Sequence, residues 1–208
     1  MSKLAKIKLG LDFDNTIVCY DDAIALLAEE LFDLPPEVPR TKLGLRDYLR
    51  GADREPEWTA FQGELYGPGM RYAQPFEGAV ETMMQLVTAG HELVIVSHRS
   101  RRPYYGEQHD LHGAARCWVA DRLQSARLFC EDNDSVNFLE TRHEKLVRIA
   151  ELGCKAFLDD LPEVLGAPYF PATTTGILFD PSGTTRKTEG KRCITAWSEL
   201  RGVIDSLR

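Results

Sequence analysis

The sequence predicts an α/β fold, a parallel sheet flanked by helices, and three observations carry that expectation. Short apolar runs alternate with stretches of helical period, several runs stop at polar clusters, and one helical stretch interrupts the alternation.

The first run, Ile7-Lys8-Leu9-Gly10-Leu11, stops at Asp12 and reads as a buried strand with a polar C-terminal end. The second, Glu92-Leu93-Val94-Ile95-Val96, ends at Ser97-His98-Arg99. Val136-Asn137-Phe138-Leu139 ends near Thr141, and Cys154-Lys155-Ala156-Phe157-Leu158 ends at Asp159-Asp160. A fifth run, Gly176-Ile177-Leu178-Phe179, ends at Asp180.

Helical periods fill the gaps. Val80, Met83, Met84 and Val87 recur at i, i+3, i+4 and i+7, with Gly90 where a C′ glycine belongs. Leu111, Ala114, Ala115, Trp118 and Val119 repeat the pattern after Asp110. Leu146, Ile149 and Ala150 repeat it before Gly153. Strands alternating with helices mean βαβ units with right-handed crossovers. Such sheets bind ligands beyond the carboxyl ends of their strands, which here carry Asp12-x-Asp14, Ser97-x-Arg99 and Asp159-Asp160.

From Tyr20 to Gln74 the alternation stops. An amphipathic stretch (Ala23, Leu26, Leu27, Leu31) is followed by Pro35-Pro36 and Pro39, by Leu43 to Leu49 and Trp58 to Leu65, and by Gly67-Pro68-Gly69. Mostly helical and punctuated by Pro and Gly, it reads as a small lid inserted after the first strand. The expected division is a core of residues 1–19 and 75–208 with a small helical cap insertion of residues 20–74.

The 208 residues fit one domain with an insertion, at about 150 residues per domain. A net charge of −7 repels nucleic-acid backbones and anionic membranes, so neither is an expected partner. Cys19, Cys117, Cys130, Cys154 and Cys193 form no C-x-x-C pair and read as buried reduced thiols. The basic first residues lead into no signal peptide, and no apolar run approaches the ~18 residues of a membrane span. A soluble cytoplasmic protein is expected.

Asp12-Phe13-Asp14-Asn15-Thr16 places two carboxylates two residues apart at a strand end. That arrangement suits phosphoryl transfer. One carboxylate can attack phosphorus and form an aspartyl-phosphate, and the other can protonate the leaving alcohol and later deprotonate water. Charge on the phosphoryl oxygens then calls for a cation and fixed donors.

Leu11-Asp12-Phe13-Asp14-Asn15-Thr16-Ile17-Val18 resembles the first motif of the haloacid dehalogenase (HAD) superfamily. Val94-Ile95-Val96-Ser97 resembles the second, Lys145 the third and Phe157-Leu158-Asp159-Asp160 the fourth, in order across residues 7–160. The resemblance implies a Rossmann-like core, a Mg²⁺ ion, a nucleophilic Asp12 and an acid/base Asp14. The second aspartate points to phosphatases and phosphotransferases, since the family's dehalogenases lack it. Among metal ligands the resemblance implies Asp160 directly, Asp159 through water, a side-chain oxygen of Asp12 and the backbone carbonyl of Asp14. Ser97 is placed to donate a hydrogen bond to the transferring phosphoryl group.

Thr141 and Glu144 fit a capping box, which puts Lys145 at about N4, where the helix dipole disfavours a cation. A buried anion nearby explains such a lysine; Arg142 is the competing candidate. Asp160-Leu161-Pro162-Glu163 also resembles a capping box, so Asp160 is alternatively an N-cap. His98 and Arg99 are placed to meet the phosphate or the leaving group, whereas Arg101 and Arg102 read equally well as solvated. Ser97-x-Arg99 also resembles the second motif of polynucleotide end-phosphatases, but the chain is acidic and shows no basic–aromatic stripe. His109 and His112 lack metal-ligand spacing, and Tyr104 and Tyr105 are candidates to line a cleft.

The expected function is Mg²⁺-dependent hydrolysis of a small phosphorylated metabolite through an aspartyl-phosphate. Ser97, His98, Arg99 and Lys145 bind the substrate, and Asp12, Asp14, Ser97 and Lys145 carry the chemistry. The alternatives are a nucleotide or polynucleotide end phosphatase and a non-catalytic phospho-ligand binding module.

Overall fold

The chain runs β1 (Lys8–Leu11), β2 (Val18–Cys19), α1 (Asp21–Leu31), α2 (Lys42–Gly51), α3 (Glu55–Tyr66), β3 (Gln74–Pro75), α4 (Ala79–Thr88), β4 (Glu92–His98), α5 (Leu111–Leu123), β5 (Val136–Leu139), α6 (Arg142–Glu151), β6 (Ala156–Asp159), α7 (Pro162–Leu165), β7 (Thr175–Phe179), β8 (Arg192–Ile194) and α8 (Leu200–Asp205). This is a computed structural model that describes residues 6–123, 128–129, 135–184 and 192–207. Its contacts group into two units: Met1–Val18, Pro75–His98 and Leu123–Arg208 in the first, Cys19–Gln74 and Arg99–Arg122 in the second.

The first unit holds a six-stranded parallel sheet in the order β5-β4-β1-β6-β7-β8. All five apolar runs of the sequence are strands in it. Leu93 to Ser97 of β4 and all of β6 are buried, the continuous burial that a parallel sheet covered on both faces imposes. Gly10 allows a close approach: a Cβ there would collide with the Phe157 ring of the neighbouring strand. Val94, Val96, Leu146, Ile149, Phe157 and Val164 pack α6 and α7 against the sheet. Gly90 follows the end of α4 with φ +92°, the left-handed turn expected of a C′ glycine.

The topology fixes where a ligand can sit. The chain leaves β1 towards β4 on one side and leaves β6 towards β7 on the other. These two adjacent strands therefore flank the switch point of the sheet. Asp12 follows one of them, and Asp159-Asp160 closes the other.

The second unit is helical. Thr41 caps α2 by accepting from Gly44 N, and Leu45, Leu49, Trp58, Phe61, Leu65 and Met70 fill its interior. In α1 the buried residues are Ala23, Ile24, Leu27 and Ala28, while Leu26 and Leu31 stay 51% and 45% exposed. Its packed face is Ile24 and Leu27 with two alanines, and Leu26 and Leu31 lie off it. Residues 99–122 belong to this unit as well as the inserted stretch. Trp118 Nε1 donates to Ala73 O at 3.0 Å, Arg122 donates to Arg71 O, and His109 Nε2 meets Glu64 Oε1 at 2.9 Å.

Cys154 is buried, Cys19 and Cys193 are half-buried and Cys117 is exposed; all four are free thiols. Burial therefore holds fully only for Cys154, and Cys130 lies outside the described residues. Among the described residues, no helix is long and apolar enough to cross a membrane.

Candidate active site

Asp12 is where the strand ends of the first unit converge. Its backbone N donates to Leu158 O at 2.9 Å, continuing the β1–β6 ladder one residue past β1. That bond fixes the start of the side chain beside β6. Ser97 lies in β4 two residues beyond Ile95, the register partner of Leu11. Its Oγ donates to Asp12 Oδ1 at 2.9 Å. Thr16, buried in the loop after β1, donates from Oγ1 to Asp12 Oδ2 at 3.3 Å.

Lys145 completes the group. The Thr141–Glu144 capping box starts α6 as its sequence suggests, and one residue later Lys145 enters the protein with no exposed surface. Nζ donates to Asp12 Oδ1 at 2.6 Å and to Asp159 Oδ2 at 2.7 Å. Burial pulls the pKa of this ammonium down, but Asp12 and Asp159 outweigh it and hold the pKa well above the ordinary lysine range. The lysine is therefore a fixed cation that bridges the two strand ends.

The two acids after β6 differ. Asp159 is fully buried, and both oxygens are engaged: Oδ1 accepts from Leu161 N at 2.9 Å and Oδ2 from Lys145. Asp160 is half-buried and, among the described residues, has no side-chain hydrogen bond. Helix α7 begins after Leu161 with no side-chain cap, so Asp160 does not act as its N-cap. Burial pushes Asp159 to about 7, with the like charge of Asp12 adding to it and Lys145 opposing. Burial pushes Asp160 to about 8, helped by Asp12 and Asp159.

Asp12, Asp159 and Asp160 can each offer a carboxylate oxygen within 4.8 Å of the others. Three crowded carboxylates face one ammonium, so a further cation is electrostatically favoured among them. An all-oxygen donor set of this kind fits Mg²⁺. The Asp14 carboxylate is not part of that group. Asp14 is half-buried in a tight loop where Asn15 takes φ +56° and both Ile17 N and Val18 N donate to Phe13 O at 3.0 Å.

His98 ends β4 with a buried Nδ1 that, among the described residues, finds no hydrogen-bond partner. Burial lowers its pKa, and Lys145 lowers it further, which favours the neutral ring. Arg99 opens the next segment of the second unit, its guanidinium 5.3 Å from the Tyr66 ring and donating to Tyr66 O at 3.4 Å. Arg101 and Arg102 are exposed, as are Tyr104 (90%) and Tyr105. His109 and His112 have protein partners, Glu64 and Arg99 O. The sequence-level reading missed Thr16 as a partner of Asp12; its only signal is its place in the Asp12–Thr16 run.

The crowding has a measurable consequence. In an unfolded chain both acids titrate near ~3.9. In the folded, metal-free protein they keep protons up to about 7 and about 8. Between those values the folded state binds more protons, so its stability falls as pH rises. Metal-free protein is expected to melt at a lower temperature at pH 8 than at pH 6, and Asp160→Asn should flatten that slope. An unchanged slope in the variant would show that Asp160 is not crowded.

No family model and no curated protein matches the chain. Solved structures do. A predicted phosphatase from Clostridium acetobutylicum matches at 16% identity and TM-score 0.61, over 96% of this chain and 99% of that one. A HAD family hydrolase from Deinococcus radiodurans, with bound phosphate and sodium, matches at 19% and 0.54, over 98% and 97%. YfnB from Bacillus subtilis, bound to magnesium, matches at 15% and 0.57, over 96% and 98%. Dehalogenases are also among the matches. The chain shares its fold with HAD-superfamily hydrolases of known structure.

Proposed function

We propose that the protein is a Mg²⁺-dependent phosphomonoesterase acting on a small phosphorylated metabolite. The observation that carries this reading is the Asp12 carboxylate, held by Ser97, Thr16 and Lys145 beside Asp159 and Asp160 at the sheet's switch point. Asp12 attacks the phosphorus atom while the P–O bond to the leaving alcohol breaks, and Asp14 gives that alcohol a proton. Asp14 then takes a proton from water, which hydrolyses the aspartyl-phosphate and frees Asp12. Lys145 and Ser97 offset charge on the attacking carboxylate and on the phosphoryl oxygens. When bound by Asp12, Asp160 and the Asp14 carbonyl, Mg²⁺ would supply positive charge to the phosphoryl oxygens. Asp159, already bonded to Lys145 and Leu161 N, would orient that site without binding the metal directly.

The Deinococcus structure holds phosphate and sodium and YfnB holds magnesium, which supports a phosphate ester and a cation as the groups bound in this fold. Dehalogenases share the fold, but Asp14, in the acid/base position of the family's phosphatases, favours the phosphatase reading.

Wild-type protein is expected to hydrolyse an aryl phosphate only when Mg²⁺ is present. Halide release from a chloroacid without phosphatase activity would replace this reading by a dehalogenase. The acids should separate in Mg²⁺ activation curves. Asp160→Asn should raise the Mg²⁺ requirement most, and Asp159→Asn should cost roughly 10–100-fold in metal affinity or activity. Asp14→Asn should lower kcat with little shift in the curve. A larger shift for Asp159→Asn than for Asp160→Asn would reverse the ligand assignment.

A further inference from the structure

The loop that carries Asp14 and Thr16 is held from a distant part of the chain. The indole Nε1–H of Trp197 donates to Thr16 O at 3.0 Å, across 181 residues of sequence. The hydroxyl of the same Thr16 donates to Asp12 Oδ2. One residue therefore links the indole to the nucleophilic carboxylate, its carbonyl pinned on one side and its hydroxyl engaged on the other.

Trp197 is itself immobilised. It is 1% exposed and opens a 3-10 turn whose Glu199 carboxylate accepts from Thr195 N and Ala196 N. Its carbonyl accepts from Thr82 Oγ1 at 3.3 Å, and its ring meets Phe179 edge-on with centroids 6.2 Å apart. The loop it grips includes Asn15 at φ +56°, a left-handed conformation that asparagine adopts more readily than most residues and that a local constraint stabilises further. A rigid indole bonded to the next residue is such a constraint.

We propose that Trp197 is a positioning residue for the Asp12 site, acting through Thr16. Its N–H fixes the Thr16 carbonyl, which aims the Thr16 hydroxyl at Asp12 and sets the loop that carries Asp14. This rests on the phosphatase reading above. The indole is buried and reaches Asp12 through Thr16, so its loss should act on the alignment of Asp12 and Asp14 and leave substrate affinity in place.

The test is Trp197→Phe, which keeps an aromatic ring and removes the N–H donor. Expected are a kcat about tenfold lower for an aryl phosphate, with KM and the Mg²⁺ half-saturation within about twofold. Phe179→Leu is the control, since it loosens the same packing and leaves the indole bond to Thr16. It should lower the melting temperature without the selective loss of kcat. Hydrogen exchange at the amides of residues 16–18 should quicken in Trp197→Phe and not in Phe179→Leu. A folded Trp197→Phe with wild-type kcat and exchange, or equal effects of both variants, overturns the proposal. If wild-type protein turns over no phosphate ester, the functional reading fails, and the exchange data alone decide whether Trp197 holds the loop. Should Trp197→Phe not fold, the Trp197 indole N–H resonance of the wild type replaces it. It should shift when Mg²⁺ and beryllium trifluoride are added, and an unmoved resonance overturns the coupling.

Discussion

Asp12→Asn is expected to abolish hydrolysis of every phosphate ester, by at least roughly 10⁴-fold in kcat, without unfolding the protein. The amide is nearly isosteric, but it is not a nucleophile for phosphorus and is a weaker metal ligand. The hydrogen bonds survive in part. An amide oxygen can still accept from Ser97 Oγ and Lys145 Nζ, which both bond Oδ1. The amide nitrogen then faces the Thr16 hydroxyl, which can turn from donor to acceptor. Removing the Asp12 charge also relieves the repulsion that helps push Asp159 and Asp160 up to about 7 and about 8. That relief offsets part of the buried ion pair with Lys145 that the substitution breaks, and Lys145 keeps Asp159, so the metal-free variant should lose less melting temperature at pH 8 than Lys145→Met. Residual turnover near the wild-type rate would reject Asp12 as nucleophile. Loss of turnover together with a collapsed melting temperature would reassign Asp12 to a structural role.

The sheet was legible because parallel strands are buried on both faces and read as unbroken apolar runs. Leu93 to Val96 is such a run, and its strand extends through His98. Strand β8, Arg192–Ile194, was not legible: three residues at a sheet edge, one of them arginine, carry neither period nor continuous apolar character. The same limit hid the two-residue β2 and β3. Residues 99–122 follow a core strand in the chain, and helical periodicity says nothing about which unit a helix packs in. Their grouping with the inserted helices rests on tertiary bonds such as Trp118 to Ala73.

The acids were legible because their chemistry is tied to short spacings at strand ends. Lys145 was legible for a different reason, a cation placed where the helix dipole opposes it, and the buried anions it implied are Asp12 and Asp159. Asp160 was ambiguous, since an aspartate before Leu-Pro-Glu reads equally as cap or ligand. The cap reading falls to Asp159, which accepts from Leu161 N and leaves Asp160 without a capping bond. Trp197 carried no signal at all. A lone tryptophan in Thr-Ala-Trp-Ser-Glu reads as core, and its bond to Thr16 depends on folding across 181 residues.

Lys145→Met is expected to have the largest combined effect on stability and turnover. The side chain is fully buried, as is Asp159, and Asp12 is nearly so. Replacing the ammonium with a thioether leaves both carboxylates without their cation in a site already crowded by Asp160. Breaking a buried ion pair from one side costs about 3–5 kcal/mol, a fall in melting temperature of roughly 6–20 °C for a chain of this size. The sign of the pH dependence follows from the acids. Without Lys145, which opposes their shifts, Asp159 and Asp160 hold protons to still higher pH than in wild type. At low pH the cluster is neutralised by those protons, and the missing ammonium costs little. The difference in melting temperature between wild type and variant should therefore widen from pH 5.5 to pH 8 in metal-free protein. Turnover of an aryl phosphate with saturating Mg²⁺ should fall by at least about a hundredfold, the loss of one fixed charge-stabilising donor. A variant as stable as wild type at pH 8 would mean that Lys145 does not pair with Asp12 and Asp159. One that is destabilised yet fully active would confine the lysine to holding the strand ends together and remove it from the chemistry.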